Sequence, residues 1–184
     1  EEINQIYITK VYHRDLLPIS LKNGFIFNDW INSRLVLSHR KNVLEMFSTL
    51  GITNPESILE ITKGISLNDT YWIKRVDSKK TWKSVSPYSN PLNRSIADYS
   101  FMSDRRINGK LITHSPDFAT SGQFPKCWKR INNTIYLIKG GSVGHAGAGN
   151  EPYSDIHAYM LANQLQIKNV PYEYIRYKNI DATK

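Results

Sequence analysis

The sequence predicts an α+β fold: a small N-terminal module of strand and short helices, then an antiparallel-sheet lobe with one helix packed on it. Three observations carry this. Helix caps and apolar residues at helical spacing recur between about residues 25 and 65. Short runs of β-branched and aromatic residues, with turn signals between them, dominate beyond residue 110. One longer helical pattern interrupts those runs after Pro152. With 184 residues and 21.2 kDa, the chain has the size of one domain with room for a small second one. The expected division is 1–110 for the module and 111–184 for the sheet lobe.

In chain order, Ile6 to Tyr12 reads as a strand and Asn23-Gly24 as a tight turn. Asn28 is placed to cap a short helix carrying Trp30, Ile31 and Leu35. Ser38 is placed to cap a second, with Val43, Phe47 and Leu50 on one face and Gly51 as its stop. Asn54-Pro55-Glu56 starts a third, which Gly64 ends. Two short helices around a glycine invite comparison with a helix-turn-helix. Glu56 and Glu60 on the last helix stand where a recognition helix needs Arg, Lys, Asn or Gln, so direct DNA reading is disfavoured. Tyr71 to Lys74 reads as a short strand, and Ile96 to Phe101 as a single helical turn. Trp72 and Trp82 are either platforms for base stacking or, as is far commoner, anchors for a loop-rich segment.

The C-terminal half holds strands at Leu111–Thr113, Cys127–Ile131 and Ile135–Lys139, the last two joined by Asn132-Asn133 as a hairpin. A glycine-dense loop follows, with Gly140, Gly141, Gly144, Gly147 and Gly149 making up 5 of the 10 glycines. Pro152 opens a helix bearing Ile156, Tyr159, Met160 and Leu165, and Pro171 to Tyr177 is a further strand.

Composition narrows the function classes. Hydrophobic residues at 40% and charged residues at 22% are those of a soluble globular protein rather than a disordered tail. No run approaches the roughly 20 apolar residues that span a bilayer, and the first residues lack the pattern of a signal peptide. The chain starts at Glu1 without an initiator Met, so processing or excision from a longer chain is expected. Cys127 is the only cysteine, which excludes an internal disulfide and a cysteine zinc cage and fits a reducing cytoplasm. The net charge of +8 suits polyanions: nucleic acid, nucleotide phosphates or an acidic protein. No five like charges run together, so a solvated surface accounts for most of the basic residues.

One constellation carries chemistry. Gly122, in Thr120-Ser121-Gly122-Gln123-Phe124-Pro125-Lys126, has no Cβ to keep a backbone away from phosphates. Lys139 ends the following strand, and an acid on the next helix would hold its ammonium in place. Glycine loop, strand lysine and helix acid form the arrangement of a kinase small lobe. The five histidines show no two-ligand helical spacing, so no metal site is expected, and no G-x-S-x-G elbow supports hydrolase chemistry.

Four segments together resemble the HipA family of serine/threonine kinases, in particular the HipA-like proteins of Gram-positive bacteria. They are Phe27 to Arg34 leading into Ser38-His39-Arg40; Gly64 to Lys74; Ser121-Gly122 with Pro125-Lys126 and Trp128; and Leu137 to Ser142 through Asn150 to Asp155 and on to Pro171-Tyr172. The resemblance spans about residues 25–177 and implies a kinase-like N-lobe with Mg-ATP as cosubstrate and a toxin–antitoxin setting. It assigns Thr120 to Lys126 to the phosphate loop, with Thr120, Ser121, Gly122, Gln123 and Lys126 as cofactor-binding positions. Ser121 falls at a serine position that the family can autophosphorylate, while Ala119 occupies the other. Lys139 matches the nucleotide-binding lysine. Asp155 falls where the family usually has Glu, one methylene longer, and Glu151 one turn earlier is the alternative partner of Lys139. Both acids also suit the first turn of a helix for dipole reasons alone.

The catalytic aspartate, its asparagine partner and the metal-binding aspartate of such kinases have no counterpart before Lys184. The chain is therefore expected to be the N-terminal region and small lobe of a kinase, not competent alone and binding ATP weakly or not at all. Magnesium ligands, an antitoxin or DNA-binding regulatory partner and a protein substrate are expected elsewhere. The rival reading is a non-enzymatic, antitoxin-like module that docks on a partner protein or DNA, which the charge and the helical segment favour.

Overall fold

The computed structural model describes residues 10–22, 27–35, 44–45, 47–48, 52–102, 115–120, 122, 124–142 and 149–184. The fold is α+β. Its helices are α1 (Ile19–Lys22), α2 (Phe27–Asn32), α3 (Pro55–Thr62), α4 (Trp82–Val85), α5 (Arg94–Met102) and α6 (Glu151–Gln164). Its strands are β1 (Lys126–Ile131), β2 (Thr134–Gly140), β3 (Tyr174–Tyr177) and β4 (Ile180–Thr183). The chain divides into two compact units: Glu1–Pro91 with Leu111–Gly122, and Leu92–Lys110 with Gln123–Lys184. The single boundary expected at 110/111 becomes three crossings, because α5 belongs with the sheet and Phe118 belongs with Phe47.

In the first unit, α3 has the predicted start: the Asn54 side chain accepts from the Ser57 amide at 2.7 Å, and Pro55 takes the first helical position. Lys63 and Gly64 close it in the left-handed region, at φ 57° and 55°. Ile31 of α2 and Leu59 of α3 form a small core, against which Phe27, Trp30, Leu35 and Ile73 pack. Beside it the buried Arg34 guanidinium donates to the Gly64 carbonyl at 3.0 Å, pairs with Asp69 and lies 4.6 Å from the Trp30 ring. These contacts explain two departures from expectation. Asn28 lies inside α2 rather than capping it. Tyr71 to Lys74 is not a strand, since Arg34, Asp69 and the Lys63 carbonyl serve its backbone instead of a neighbouring strand.

Phe47 and Phe118 meet with ring centroids 5.1 Å apart. Of the helix expected after Ser38, residues 44–45 and 47–48 are helical and the rest lies outside the described residues. So do the Ile6–Thr9 part of the expected first strand, the Asn23-Gly24 turn and the strand expected at Leu111–Thr113. Lys10 to Tyr12 are not in a strand.

In the second unit the four strands are antiparallel in the order β1-β2-β4-β3. Asn132 and Asn133 join β1 to β2 at φ 47° and 65°, the paired positive values of a type I′ hairpin. Lys178 and Asn179 do the same between β3 and β4, at 55° and 64°. Cross-strand partners share a face. One face carries Cys127, Ile138 and Ala182, which bury Ala97 and Phe101 of α5; Ile175, Tyr177 and Ile180 pack around them. The opposite face carries Lys126, Lys139, Thr183 and Tyr174, and α6 lies over it. The sheet is thus covered by two helices rather than the expected one. The predicted single turn at Ile96–Phe101 is the nine-residue helix α5, stabilised because its apolar stripe has a sheet to bury against.

Candidate functional site

The site is built on the α6 side of the sheet. Lys126 of β1 stands directly opposite Lys139 of β2, and Lys139 opposite Thr183 of β4, so the three side chains form one row. Two lysines at paired positions on one face repel each other unless anions lie near. Asp155, in the second turn of α6, supplies one. Its Oδ2 lies 2.7 Å from Lys139 Nζ and also accepts from Thr183 Oγ1 at 3.2 Å. Tyr172 closes the other side, its ring centroid 5.4 Å from the same ammonium, and Tyr159 of α6 packs on Tyr172 at 6.4 Å.

The lysine is oriented but still open to solvent. The Lys139 and Asp155 side chains are 32% and 25% exposed, whereas Thr183 and Lys126 are buried. An ion pair so exposed contributes only about 0.2–1 kcal/mol to stability. Its consequence is geometric: a cation at the end of β2 with one face occupied by a carboxylate and another by a ring.

Glu151, the other candidate partner, is engaged elsewhere. Its carboxylate accepts from the Ser142 amide at 2.9 Å and from the Ser142 hydroxyl, and the Gly149 amide donates to Ser142 Oγ at 3.4 Å. These bonds, the Ser142 hydroxyl first, pull the Glu151 carboxyl below its ordinary pKa. They tie the two ends of the glycine-dense loop together at the start of α6. A Cβ on Gly141 would lie 2.5 Å from Gly149 Cα, so this closure requires a glycine. At the far edge, the Tyr153 and Tyr174 hydroxyls both donate to Asp181, at 2.8 and 2.7 Å, and their rings stack. The Tyr174 and Tyr153 hydrogen bonds lower the Asp181 pKa, and the Tyr174 phenol is raised in return.

Among the predicted positions, Lys126, Lys139, Glu151 and Asp155 belong to the second unit, and Thr120 and Gly122 to the first. Ser121 and Gln123 lie outside the described residues. Gly122 has φ 99°, a backbone open to glycine and few other residues. Thr120 Oγ1 donates to the Pro116 carbonyl at 3.0 Å. Asp117 is buried and accepts from Ser115 Oγ at 2.7 Å, which gives it a turn-forming task. Sequence reasoning missed Thr183, Tyr172, Ser142 and Asp181. Thr183 and Asp181 sit on β4, whose only local signal is Asn179 in a turn after a tyrosine-rich strand.

Among the described residues no three His, Cys, Asp or Glu side chains gather as a metal site, and no helix is long and apolar enough to cross a membrane. Compared with known proteins, the chain matches no protein-family model, no curated protein and no solved structure.

Proposed function

We propose that this chain supplies the ATP-phosphate clamp of a HipA-like serine/threonine protein kinase, in a cytoplasmic toxin–antitoxin setting. The observation that carries the reading is the 2.7 Å pair between Lys139 at the end of β2 and Asp155 on α6, the strand-lysine and helix-acid pairing that phosphoryl-transfer enzymes use to aim an ammonium at phosphate oxygens. A polyphosphate fits this row chemically. Lys126 and Lys139 are paired cations on one face, and negative charge added beside them relieves their repulsion. ATP, when bound, supplies the transferable phosphoryl group; Lys139 holds its phosphates, and Asp155 keeps the lysine from swinging away. No base and no magnesium ligand is assigned within these 184 residues.

The test is a titration of the isotope-labelled chain with ATP and with inorganic triphosphate, followed by NMR. Binding of about millimolar strength is expected, about 4 kcal/mol, with shifts at Lys126, Lys139 and Asp155 that vanish in Lys139→Met. Lys129→Met, on the opposite sheet face, should leave them in place. If neither anion moves those resonances, the clamp reading fails and the docking-module reading replaces it.

A further inference from the structure

The first unit carries a second cationic site with different chemistry, independent of the clamp. Between residues 60 and 83 stand six lysines and arginines (Lys63, Lys74, Arg75, Lys79, Lys80, Lys83) against three carboxylates. Two of those three are spent: Asp69 on Arg34 and Asp77 on Arg75. The loop that bears the cations is held in shape by its own backbone, since Lys74 Nζ donates to the Ser78 and Lys80 carbonyls, both at 3.4 Å. The Ile73 amide donates to the Lys63 carbonyl at 2.8 Å, which ties the loop to the end of α3. Lys63 itself occupies a left-handed helix-end position that favours Gly or Asn, at φ 57°. It is 8% exposed. Burial lowers its pKa, and Lys80 and Arg75 press it the same way, with Glu60 opposing. The Lys74 ammonium against the Lys80 carbonyl brings these two lysines together in space as well as in sequence.

Two tryptophans lie within the same cluster. Trp72 and Trp82 are partly exposed, with ring centroids 6.4 Å apart and planes inclined by 44°, and Lys74 Nζ lies 5.8 Å from the Trp72 ring. Cations alone would suit any polyanion or acidic peptide. Cations interleaved with accessible indoles suit unstacked bases, because every base offers a face to stack and a phosphate beside it. Duplex DNA is served poorly: α3 carries Glu56 and Glu60, and α4 is only four residues long.

We propose that the segment from Trp72 to Lys83 binds single-stranded nucleic acid, with phosphates on the exposed Lys79, Lys80 and Lys83 and bases against Trp72 and Trp82. The binding is weakly sequence-dependent, as expected where stacking and charge replace base-edge hydrogen bonds. It does not use the Lys139 row.

The experiment is fluorescence anisotropy of labelled oligo(dT) of about 15 nucleotides with the full chain, across a salt series. Three phosphate contacts predict a log–log salt slope of about −2. The double variant Lys79→Glu/Lys80→Glu, at two exposed positions, should weaken binding at least about tenfold and flatten the slope by roughly 1.4, with an unchanged thermal midpoint. Oligo(dT) should quench tryptophan emission, and inorganic polyphosphate at matched occupancy should not. Lys139→Met should leave affinity unchanged, which separates this site from the clamp. Unaltered affinity in the double variant overturns the proposal. So does loss of binding in Lys139→Met, duplex binding as tight as single-strand binding, or an acidic peptide that displaces oligo(dT) at equal charge concentration.

Discussion

Lys139 and Asp155, 16 residues apart in sequence, meet at 2.7 Å. The contact joins the end of β2 to the second turn of α6, and Thr183 of β4 reaches the same carboxylate oxygen. Three elements are thereby fixed to one another by a single side chain.

Asp155→Asn should therefore cost little stability, under about 1 kcal/mol, while releasing Lys139 from its orientation. Lysine-selective NMR checks this: the Lys139 ammonium signal should narrow toward that of a mobile lysine in the variant and stay broad in the parent.

Thr183→Val keeps the shape of a buried side chain but removes a donor to a charged acceptor. A loss of about 1.5–3 kcal/mol is the ordinary range for such a bond, and the lower end is expected because Asp155 retains Lys139. Urea unfolding measures it. Thr183→Ser should recover most of the loss; no recovery would mean that the methyl group, not the hydroxyl, matters.

The glycine pair at the end of β2 predicts an ordering. At Gly140 a Cβ would meet the outer edge of the Phe101 ring at 2.8 Å, and a ring can tilt. At Gly141 it would meet Gly149 backbone at 2.5 Å. Gly141→Ala should thus destabilise more than Gly140→Ala, both within the roughly 1–3 kcal/mol of overpacking, and should break the Ser142–Glu151 bonds. Thermal melts of the two variants give the ranking.

Asp98 of α5 accepts from Lys178 at 2.7 Å and Tyr177 at 3.0 Å, which ties the helix to the β3–β4 turn. Burial pushes its carboxyl upward, yet the two hydrogen bonds outweigh it, and the net pKa lies below the ordinary 3.8. A carboxyl depressed on folding stabilises fully above its unfolded pKa and loses that contribution as pH falls through the folded one. Stability should fall below about pH 4. In Asp98→Asn part of that acid dependence should disappear, together with some stability at pH 7. Denaturation curves from pH 2 to 7 test both; an unchanged acid slope would count against the assignment.

Cys127 has no accessible surface and lies between Ala97 and Phe101 of α5 and Ile138 of β2. A thiol reagent should reach it only when the helix lifts from the sheet, so labelling should follow the opening of this core. Rapid labelling of the native chain, at the rate of free cysteine, would contradict the packing.

Much of the local architecture is legible in adjacent residues. Asn132-Asn133 marks its hairpin because asparagine tolerates positive φ, and Asn54-Pro55 marks the start of α3 because one supplies a cap and the other gives up a donor that the first turn does not need. Lys139 at the end of a β-branched run is equally visible. The extent of α5 and the existence of β4 were not: nine helical residues and four strand residues hold together only through partners elsewhere in the chain.

By itself, then, the sequence determined the α+β class, the β1–β2 hairpin, the start of α6 and the candidate pair of acids on it. Tertiary structure decided between those acids. Asp155 and Glu151 lie one helical turn apart and so project from neighbouring points on one side of α6. Which of them meets Lys139 depends on how α6 lies across the sheet, and that is set by Ser142 engaging Glu151 and by Thr183, 28 residues further on, engaging Asp155. Helix spacing is a property of neighbours; the choice of an ion-pair partner is a property of how distant strands and helices pack.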